Sequence, residues 1–396
     1  MFSNTVVRGG AEEHILQLLS GLDRKQFRPS LACTPELATL LGRELPKDVE
    51  MCELRLDRLA DFRGMLRLRT FLRKNRIQIL HSHMFRASLF ASPIGRIARV
   101  PVIVETAHVR EVWRKGWKAC FVVDRVASKC VDQTIAVSNA IARYLIESKG
   151  IAKHKITVIP TAPALCAPAE KCASLAERKR SLGVSETDPL IVLAGRLEPQ
   201  KGHKVAIDAM IAVLKEFPRA QLMFLGEGSL RSQLEQLVES KELGGNVRFG
   251  GFIKNLRDWF AAADLSVLPS FYEGLPMTVL EALQEACPIV ATAVDGTPEI
   301  IRDGETGILV PPGNAAELGN AICTMLRDRE FAKRTAVAGQ RDVLRNFSVG
   351  NLITRTQELY LRTLDRHLQT AEAHSASPVS LSADRSAPPS YKAIGS

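Results

Sequence analysis

Short, almost uninterrupted apolar runs recur along this chain, separated by stretches whose apolar positions fall at helical spacing. In the first half, "IQILHS" (77–82), "VPVIVET" (100–106), "QTIAVS" (133–138) and "ITVIPT" (156–161) have the pattern of strands buried on both faces. Helical patterns such as "NAIARYLIESKG" (139–150) lie between them. Alternation of this kind predicts a parallel sheet covered by helices on both sides. The pattern then restarts with "PLIVLAG" (189–195), "AQLMFLG" (220–226), "NVRFGG" (246–251), "DLSVLP" (264–269) and "PIVATA" (288–293). Helices are predicted between these runs near 203–217, 229–243, 276–286 and 314–328. The fold class is α/β, with two doubly wound units facing across a cleft, because such sheets take ligands at the carboxyl ends of their strands.

The units divide as residues 1–165 and 189–345, joined by 166–188, a linker with a short helix. A helix at 346–370 is expected to pack back toward the first unit, and 371–396, rich in Ser, Ala and Pro, reads as a disordered tail. The start breaks the pattern. A doubly wound unit should open with an apolar strand, yet only "FSNTVV" precedes "RGGAEEHILQLLSGL". This favours an N-terminus lying upstream over a weak first strand.

A chain of 396 residues is too long for one typical core, in keeping with two units. Charge adds an asymmetry: 27 of the 53 basic residues but only 15 of the 43 acidic ones fall within 1–165. That part carries +12 and the remainder −2, so an anionic partner belongs to the first unit. No recognition helix, zinc finger or RNA-stacking motif accompanies the charge, and nucleic acid is not expected. The eight Cys are scattered without a Cys-x-x-Cys pair, which indicates neither a zinc site nor a disulfide framework. With no apolar run long enough to span a bilayer and no signal-peptide pattern, the cytoplasm is the expected location.

Candidate chemistry gathers after the strands of the second unit. "AGRLEPQKGHKVAIDA" places Arg196 and Lys201 on the loop after a central strand, where a guanidinium and an ammonium can hold phosphate oxygens. Gly9 and Gly10 precede a helix whose free amides can bind an anion, without the dinucleotide fingerprint or the P-loop Lys-Ser/Thr. "FYEGLPMTVLE" puts Glu273 before a helix start and Glu281 within the helix. Carboxylates beside a diphosphate make sense as acceptors for hydroxyl donors. Glu281 lies about 7.5 Å along the axis from Pro276, but helical side chains lean toward the N-terminus, so it can reach back to a ribose. Glu273 and the amides after Gly274 would then meet a sugar. A sugar nucleotide fits this arrangement.

"FYEGLPMTVLE", with its Glu-x7-Glu spacing, resembles a motif of the retaining GT-B glycosyltransferases of family 4. "GRLEPQKG", "RGGAEEH", "VSNAI" and "DGTPEII" resemble the family's other motifs, each where it would be expected along the chain. The resemblance implies two Rossmann-like domains and a nucleotide-sugar donor, UDP- or GDP-linked, held mainly by the C-terminal one. It implies that Arg196 and Lys201 contact the diphosphate, Glu273 the donor sugar and Glu281 the ribose. Gly274, Leu275 and Pro276 would line the sugar–phosphate pocket, and Gly9–Gly10 would close over it. His108, in "VETAHVRE", matches the histidine such enzymes place near donor sugar and acceptor, so His108 and Glu273 are the catalytic candidates. Base contacts are expected near Phe252, Ile253 and Asn255. His81 and His83, in "LHSHM", lack a third metal ligand and read as strand-end residues lining the cleft, His83 being the candidate for ligand contact.

No cofactor beyond the nucleotide-sugar co-substrate and no obligatory metal are expected, since the cations would stabilise the leaving diphosphate. The acceptor is read as a glycan or lipid-linked sugar for cell-surface polysaccharide or glycolipid. The basic amphipathic stretch "DFRGMLRLRTFLRKNR" (61–76) and "WRKGWK" (113–118) suggest peripheral contact with an anionic inner membrane face. Two other readings stay open: a GT-B sugar-nucleotide epimerase and a non-catalytic sugar-nucleotide binder.

Overall fold

In the computed structural model, which describes residues 1–6, 9–56, 61–111, 127–163 and 174–375, the apolar runs become two all-parallel α/β units. In the first, β1 (Ser30–Cys33) pairs with β2 (Glu50–Glu53), and β3 (Ile79–His83), β4 (Val102–Ala107), β5 (Gln133–Ala136) and β6 (Ile156–Val158) form a sheet in that order. The first residues of the chain join the two groups. Phe2 is fully buried and bridges both Ala32 of β1 and Ser82 of β3. Its N–H donates to the His81 carbonyl at 2.8 Å, and His83 N–H donates to the Phe2 carbonyl at 3.0 Å. Residues 1–3 thus occupy the central strand position with a single core side chain. The sequence pattern does not reveal β1 and β2, because "SLAC" is very short and "EMCE" is a largely exposed edge.

The second sheet holds β7 (Leu190–Ala194), β8 (Gln221–Leu225), β9 (Val247–Gly251), β10 (Leu265–Leu268), β11 (Ile289–Thr292) and β12 (Ile308–Val310). Their order is β12-β11-β10-β7-β8-β9. Strand β7 shows why it reads as a continuous apolar run. Leu190, Val192 and Ala194 enter one core while Ile191 and Leu193 enter the other, so both faces are buried. The first of these cores continues into the N-terminal unit through Ala107, Ala136, Val137, Ile141 and Leu145.

Helix Arg329–Asn346 was not anticipated. Its buried face consists of Ala332, Thr335, Ala336, Gly339 and Val343, which gives too little apolar contrast to register. The last helix runs Val349–Ser375, so residues 371–375 extend it where the tail was expected to begin; 376–396 lie outside the described residues. Leu352, Leu359 and Tyr360 of this helix pack on Leu18, Val102, Val104, Ile135 and Ile159 of the N-terminal unit. In the linker, helix Leu175–Ser181 is tied to the C-terminal unit by Lys179, whose Nζ lies 2.6 Å from Asp264 Oδ2. Among the described residues no helix is long and apolar enough to cross a membrane.

Candidate functional site

In the C-terminal sheet the chain winds outward from β7 to β9, returns to the centre at β10, and winds the other way to β12. Strands β7 and β10 are neighbours, and the loops leaving their carboxyl ends diverge, which opens the crevice such sheets use for ligands. Residues 195–202 follow β7 and residues 269–276 follow β10. Gly202 sits at φ 68, and a Cβ there would lie 2.0 Å from the Pro269 carbonyl oxygen. Only glycine lets the two loops approach so closely.

Lys201 and Glu273 meet in this crevice, with Nζ 2.5 Å from Oε1 and both side chains largely buried. Ser270 Oγ donates to the same oxygen at 2.7 Å. The Glu273 N–H donates to Asp295 Oδ2 at 2.9 Å, and Asp295 Oδ1 pairs with Arg110 Nε of the other unit at 2.7 Å. Burial foremost holds the Asp295 carboxyl above the usual carboxylate range, against the pull of its hydrogen bond to Glu273 N–H and of Arg110. Asp295 adopts φ 43, a left-handed conformation that a short polar side chain tolerates at modest cost. Arg196 is exposed beside this group and makes no ion pair among the described residues. One cation is therefore held in a buried ion pair, while the exposed one, whose charge acts at longer range on Glu198 and Glu12, can turn to an anion.

The N-terminal unit faces the crevice with its own switch point, between the strand position of residues 1–3 and β3. Helix Gly10–Gly21 starts there, and a Cβ on Gly10 would lie 2.9 Å from Met277 Cγ, the first residue of helix Met277–Gln284. The Gly9 amide is not a free donor, which corrects the expectation: it donates to Glu12 Oε2 at 2.9 Å, the carboxylate half of a capping box. Gly274 is pressed against the His108 backbone, and Ser138 Oγ donates to the Gly274 carbonyl at 3.0 Å. Glu299 caps helix Asn139–Glu147 across the interface, accepting from Asn139 N at 2.9 Å and Ala140 N at 2.8 Å. Gly274, Leu275 and Pro276 thus lie where the two units touch.

His108 follows β4 with its Nε2 3.3 Å from Nδ1 of His83. His83 is fully buried behind it, so it does not line the open cleft, contrary to the expectation from the sequence. Burial first, then the charge of His14, holds His108 well below the ordinary imidazole range, so the ring is neutral at physiological pH. Phe252, 64% exposed, and Ile253 lie in the loop after β9, two strands from β7. Asn255 in that loop is engaged locally, its Nδ2 donating to Asp258 Oδ2 at 2.7 Å. Sequence reasoning singled out none of Ser270, Asp295, Arg110, Ser138, Glu299 and His14. All but Ser270 stand inside the motifs quoted above, and Ser270 lies between "DLSVLP" and "FYEGLPMTVLE", so the signal was available. Among the described residues no cluster of His, Cys, Asp or Glu is placed to hold a metal ion.

Glu281 sits in the second turn of its helix, and its carboxyl is pushed up to about 7 by burial and then by the charge of Glu13 across the cleft. A carboxyl raised in the folded state costs stability as pH climbs from the unfolded value through the folded one. Glu281→Gln should therefore stabilise the ligand-free protein at pH 8, by on the order of 1–3 kcal/mol, and change little below pH about 4.5. Thermal melts at the two pH values test this; an equal shift at both would contradict it. The ribose reading adds that Glu281→Ala weakens UDP or GDP binding.

The family model for glycosyl transferases group 1 matches residues 176–352, and that for glycosyltransferase family 4 matches 8–162. A phosphatidyl-myo-inositol mannosyltransferase of Mycobacterium leprae is 28% identical over 86% of this chain and 89% of its own. A UDP-Gal:alpha-D-GlcNAc-diphosphoundecaprenol alpha-1,3-galactosyltransferase of Escherichia coli is 23% identical over 76% of this chain and 80% of its own. Among solved structures, HepE of Anabaena in complex with UDP-glucose superimposes with a TM-score of 0.77 at 21% identity, covering 90% of this chain and 97% of that one.

Proposed function

Because the chain belongs to the GT-B glycosyltransferases of family 4, an EC 2.4 class of transferase, we propose that it is a retaining hexosyltransferase using a UDP- or GDP-sugar. The acceptor in this reading is a glycan or lipid-linked sugar on the way to a cell-surface polysaccharide or glycolipid. The observation that carries the donor assignment is the buried Lys201–Glu273 pair beside the unpaired Arg196, at the switch point of the C-terminal sheet. A diphosphate placed there meets two cations, while Glu273, held by Ser270, keeps an oxygen for a sugar hydroxyl. The structure bound to UDP-glucose supports a nucleotide-sugar ligand in this fold. The two relatives whose names carry phosphatidylinositol and diphosphoundecaprenol support a lipid-linked acceptor.

In the reaction the bond from the sugar's anomeric carbon to phosphate breaks, and negative charge grows on the leaving diphosphate. Arg196 and Lys201 stabilise that charge in a crevice closed by the other unit, where water competes poorly. They take the part a divalent cation would otherwise fill. Retention follows if the acceptor attacks from the face the diphosphate leaves, with a phosphate oxygen taking the acceptor proton. Thermal-shift binding against UDP, GDP, ADP and dTDP sugars tests the donor. One nucleotide class at saturating concentration should raise Tm by about 5–10 °C, and no shift with any of them would refute the assignment.

Helix Phe62–Lys74 bears on the acceptor side. Leu68 and Leu72 anchor it in the core, while Phe62 and Leu66 stand 76% and 58% exposed on the surface beside Arg63 and Arg67. A groove of about 430 Å³ runs along it, lined by Cys52, Arg63, Leu66, Arg67, Thr70 and Phe71. Apolar side chains flanked by arginines suit a membrane surface carrying anionic lipids, at the cytoplasmic face. The stretch 113–118 lies outside the described residues. The chain should co-sediment with phosphatidylglycerol vesicles at low salt, and the Phe62→Ser, Leu66→Ser pair should cut binding at least about tenfold. Equal sedimentation of both proteins would sink the membrane contact.

A further inference from the structure

Four imidazoles meet beneath the cleft, including His14, which the sequence pattern did not mark. His81 and His83 share one face of β3, with ring centroids 4.2 Å apart. His81 is bonded at both nitrogens, Nδ1 to the Tyr360 hydroxyl at 2.5 Å and Nε2 to Thr106 Oγ1 at 2.7 Å. Tyr360 belongs to the C-terminal helix, so that helix pins the cluster from outside the sheet. His83 stacks on His108, with interplanar angle 29° and centroids 5.6 Å apart. His14, on the second turn of helix Gly10–Gly21, meets His108 nearly perpendicular at 5.1 Å and 87°. The His108 ring is thereby held on two sides.

Both nitrogens of His14 are buried without a partner, but the hydrogen bond between His83 and His108 fixes a proton. A neutral imidazole has one N–H and one lone pair. The Nδ1 of His83 lies 3.3 Å from His108 Nε2, whereas its Nε2 is buried without a partner. A buried N–H left without an acceptor is rarer and costlier than a lone pair left without a donor. The unpartnered Nε2 of His83 is accordingly the lone-pair nitrogen, and its proton sits on Nδ1. His83 donates; His108 accepts through Nε2 and keeps its own proton on Nδ1. Burial and the neighbouring imidazoles keep both rings neutral, so neither nitrogen gains a second proton to blur this assignment.

We propose that His83 is a positioning residue that locks His108 as the Nδ1–H tautomer, so that His108 meets its ligand as a hydrogen-bond donor and not as a base. The ligand class is a sugar hydroxyl or ether oxygen, and this part of the inference rests on the reading of His108 as a donor-side residue. A neutral donor suits that position, because a cationic imidazole would oppose the positive charge that develops on the sugar ring as the phosphate leaves. His14 contributes the wall that keeps the ring from turning.

The tautomer can be read without any substrate. Two-bond ¹H–¹⁵N spectra of the full chain, labelled at histidine, should show His108 protonated at Nδ1 at neutral pH. His83→Leu should shift His108 toward the other tautomer or an average of the two. His83→Asn, whose amide N–H falls near the original Nδ1, should restore the wild-type pattern. A wild-type His108 protonated at Nε2, or a pattern unaltered by His83→Leu, overturns the proposal. Should His83→Leu fail to fold, the wild-type spectrum and His83→Asn still decide it. Release of UDP from UDP-glucose, or GDP from GDP-mannose, supplies the functional arm. His83→Leu should lower kcat on the order of tenfold with KM within about twofold, and His83→Asn should recover most of it. A lower rate in His108→Ala with none in His83→Leu overturns the positioning role and leaves the site assignment intact. An unchanged rate in His108→Ala overturns the site assignment and the role built on it.

Discussion

Lys201→Ala should weaken binding of UDP and GDP at least about tenfold and also lower the Tm of the ligand-free protein. Two separate causes act. The ammonium is a charge-assisted donor to the diphosphate, a contact worth about 1.5–3 kcal/mol. It is also the only cation paired with Glu273 among the described residues, and the Glu273 side chain is 7% exposed. Removing one partner of a buried pair leaves a charge with neither water nor counterion, at a cost of about 3–5 kcal/mol. The Ser270 hydroxyl and Asp295 cannot replace it, the one being neutral and the other a second carboxylate. The double variant Lys201→Ala, Glu273→Gln separates the causes. Its Tm should return toward wild type, because the stranded charge is gone, while nucleotide binding stays weak. Isothermal titration with UDP and GDP, with melts of the three proteins, checks both. Unchanged affinity in the single variant would remove Lys201 from the diphosphate site.

The parts legible in the sequence were those written in local patterns. Strands β3 to β11 announce themselves because a strand buried on both faces reads as a short apolar run, as Leu190–Ala194 shows. Arg196, Lys201 and Glu273 stand out because their loops follow such runs, and Glu281 because its helix starts directly after one of those loops. What the pattern could not give is pairing across distance. Nothing in "YEGLP" says that the Gly274 carbonyl will take a bond from Ser138, or that Glu299 will cap a helix start 160 residues earlier. The Gly9 amide looked free because glycines before a helix usually leave their amides open; Glu12, three residues on, turns back and takes it. His83 looked like a cleft residue because strand ends usually face the crevice, yet His108 and the helix carrying His14 lie over it. Helices with small-residue faces, such as Arg329–Asn346, stay silent for want of apolar contrast.

Gly274→Ala should abolish transfer while leaving each unit folded. A Cβ at Gly274 would lie 1.7 Å from the His108 carbonyl oxygen, and one at Gly296 would lie 2.0 Å from the carbonyl oxygen of Gly274 itself. These atoms are backbone, so no side-chain rotation relieves the contact. The cheapest relief lies in the geometry of the interface. His108 belongs to one unit and Gly274 to the other, and a small opening between them removes the clash without disturbing either core. That opening separates His108 from Glu273 and breaks Ser138–Gly274, with Arg110–Asp295 and Glu299–Asn139 under the same strain. A misplacement of about 1 Å at a reacting centre costs on the order of a hundredfold, so the rate of UDP or GDP release should fall at least that far. Nucleotide held by the C-terminal unit alone should persist, because Arg196 and Lys201 do not move with the interface. Solution scattering should record a larger radius of gyration for Gly274→Ala, with a melt that begins near the wild-type temperature. Wild-type dimensions and wild-type turnover in that variant would show that the two units do not need this contact, and that the closed crevice is not the reacting state.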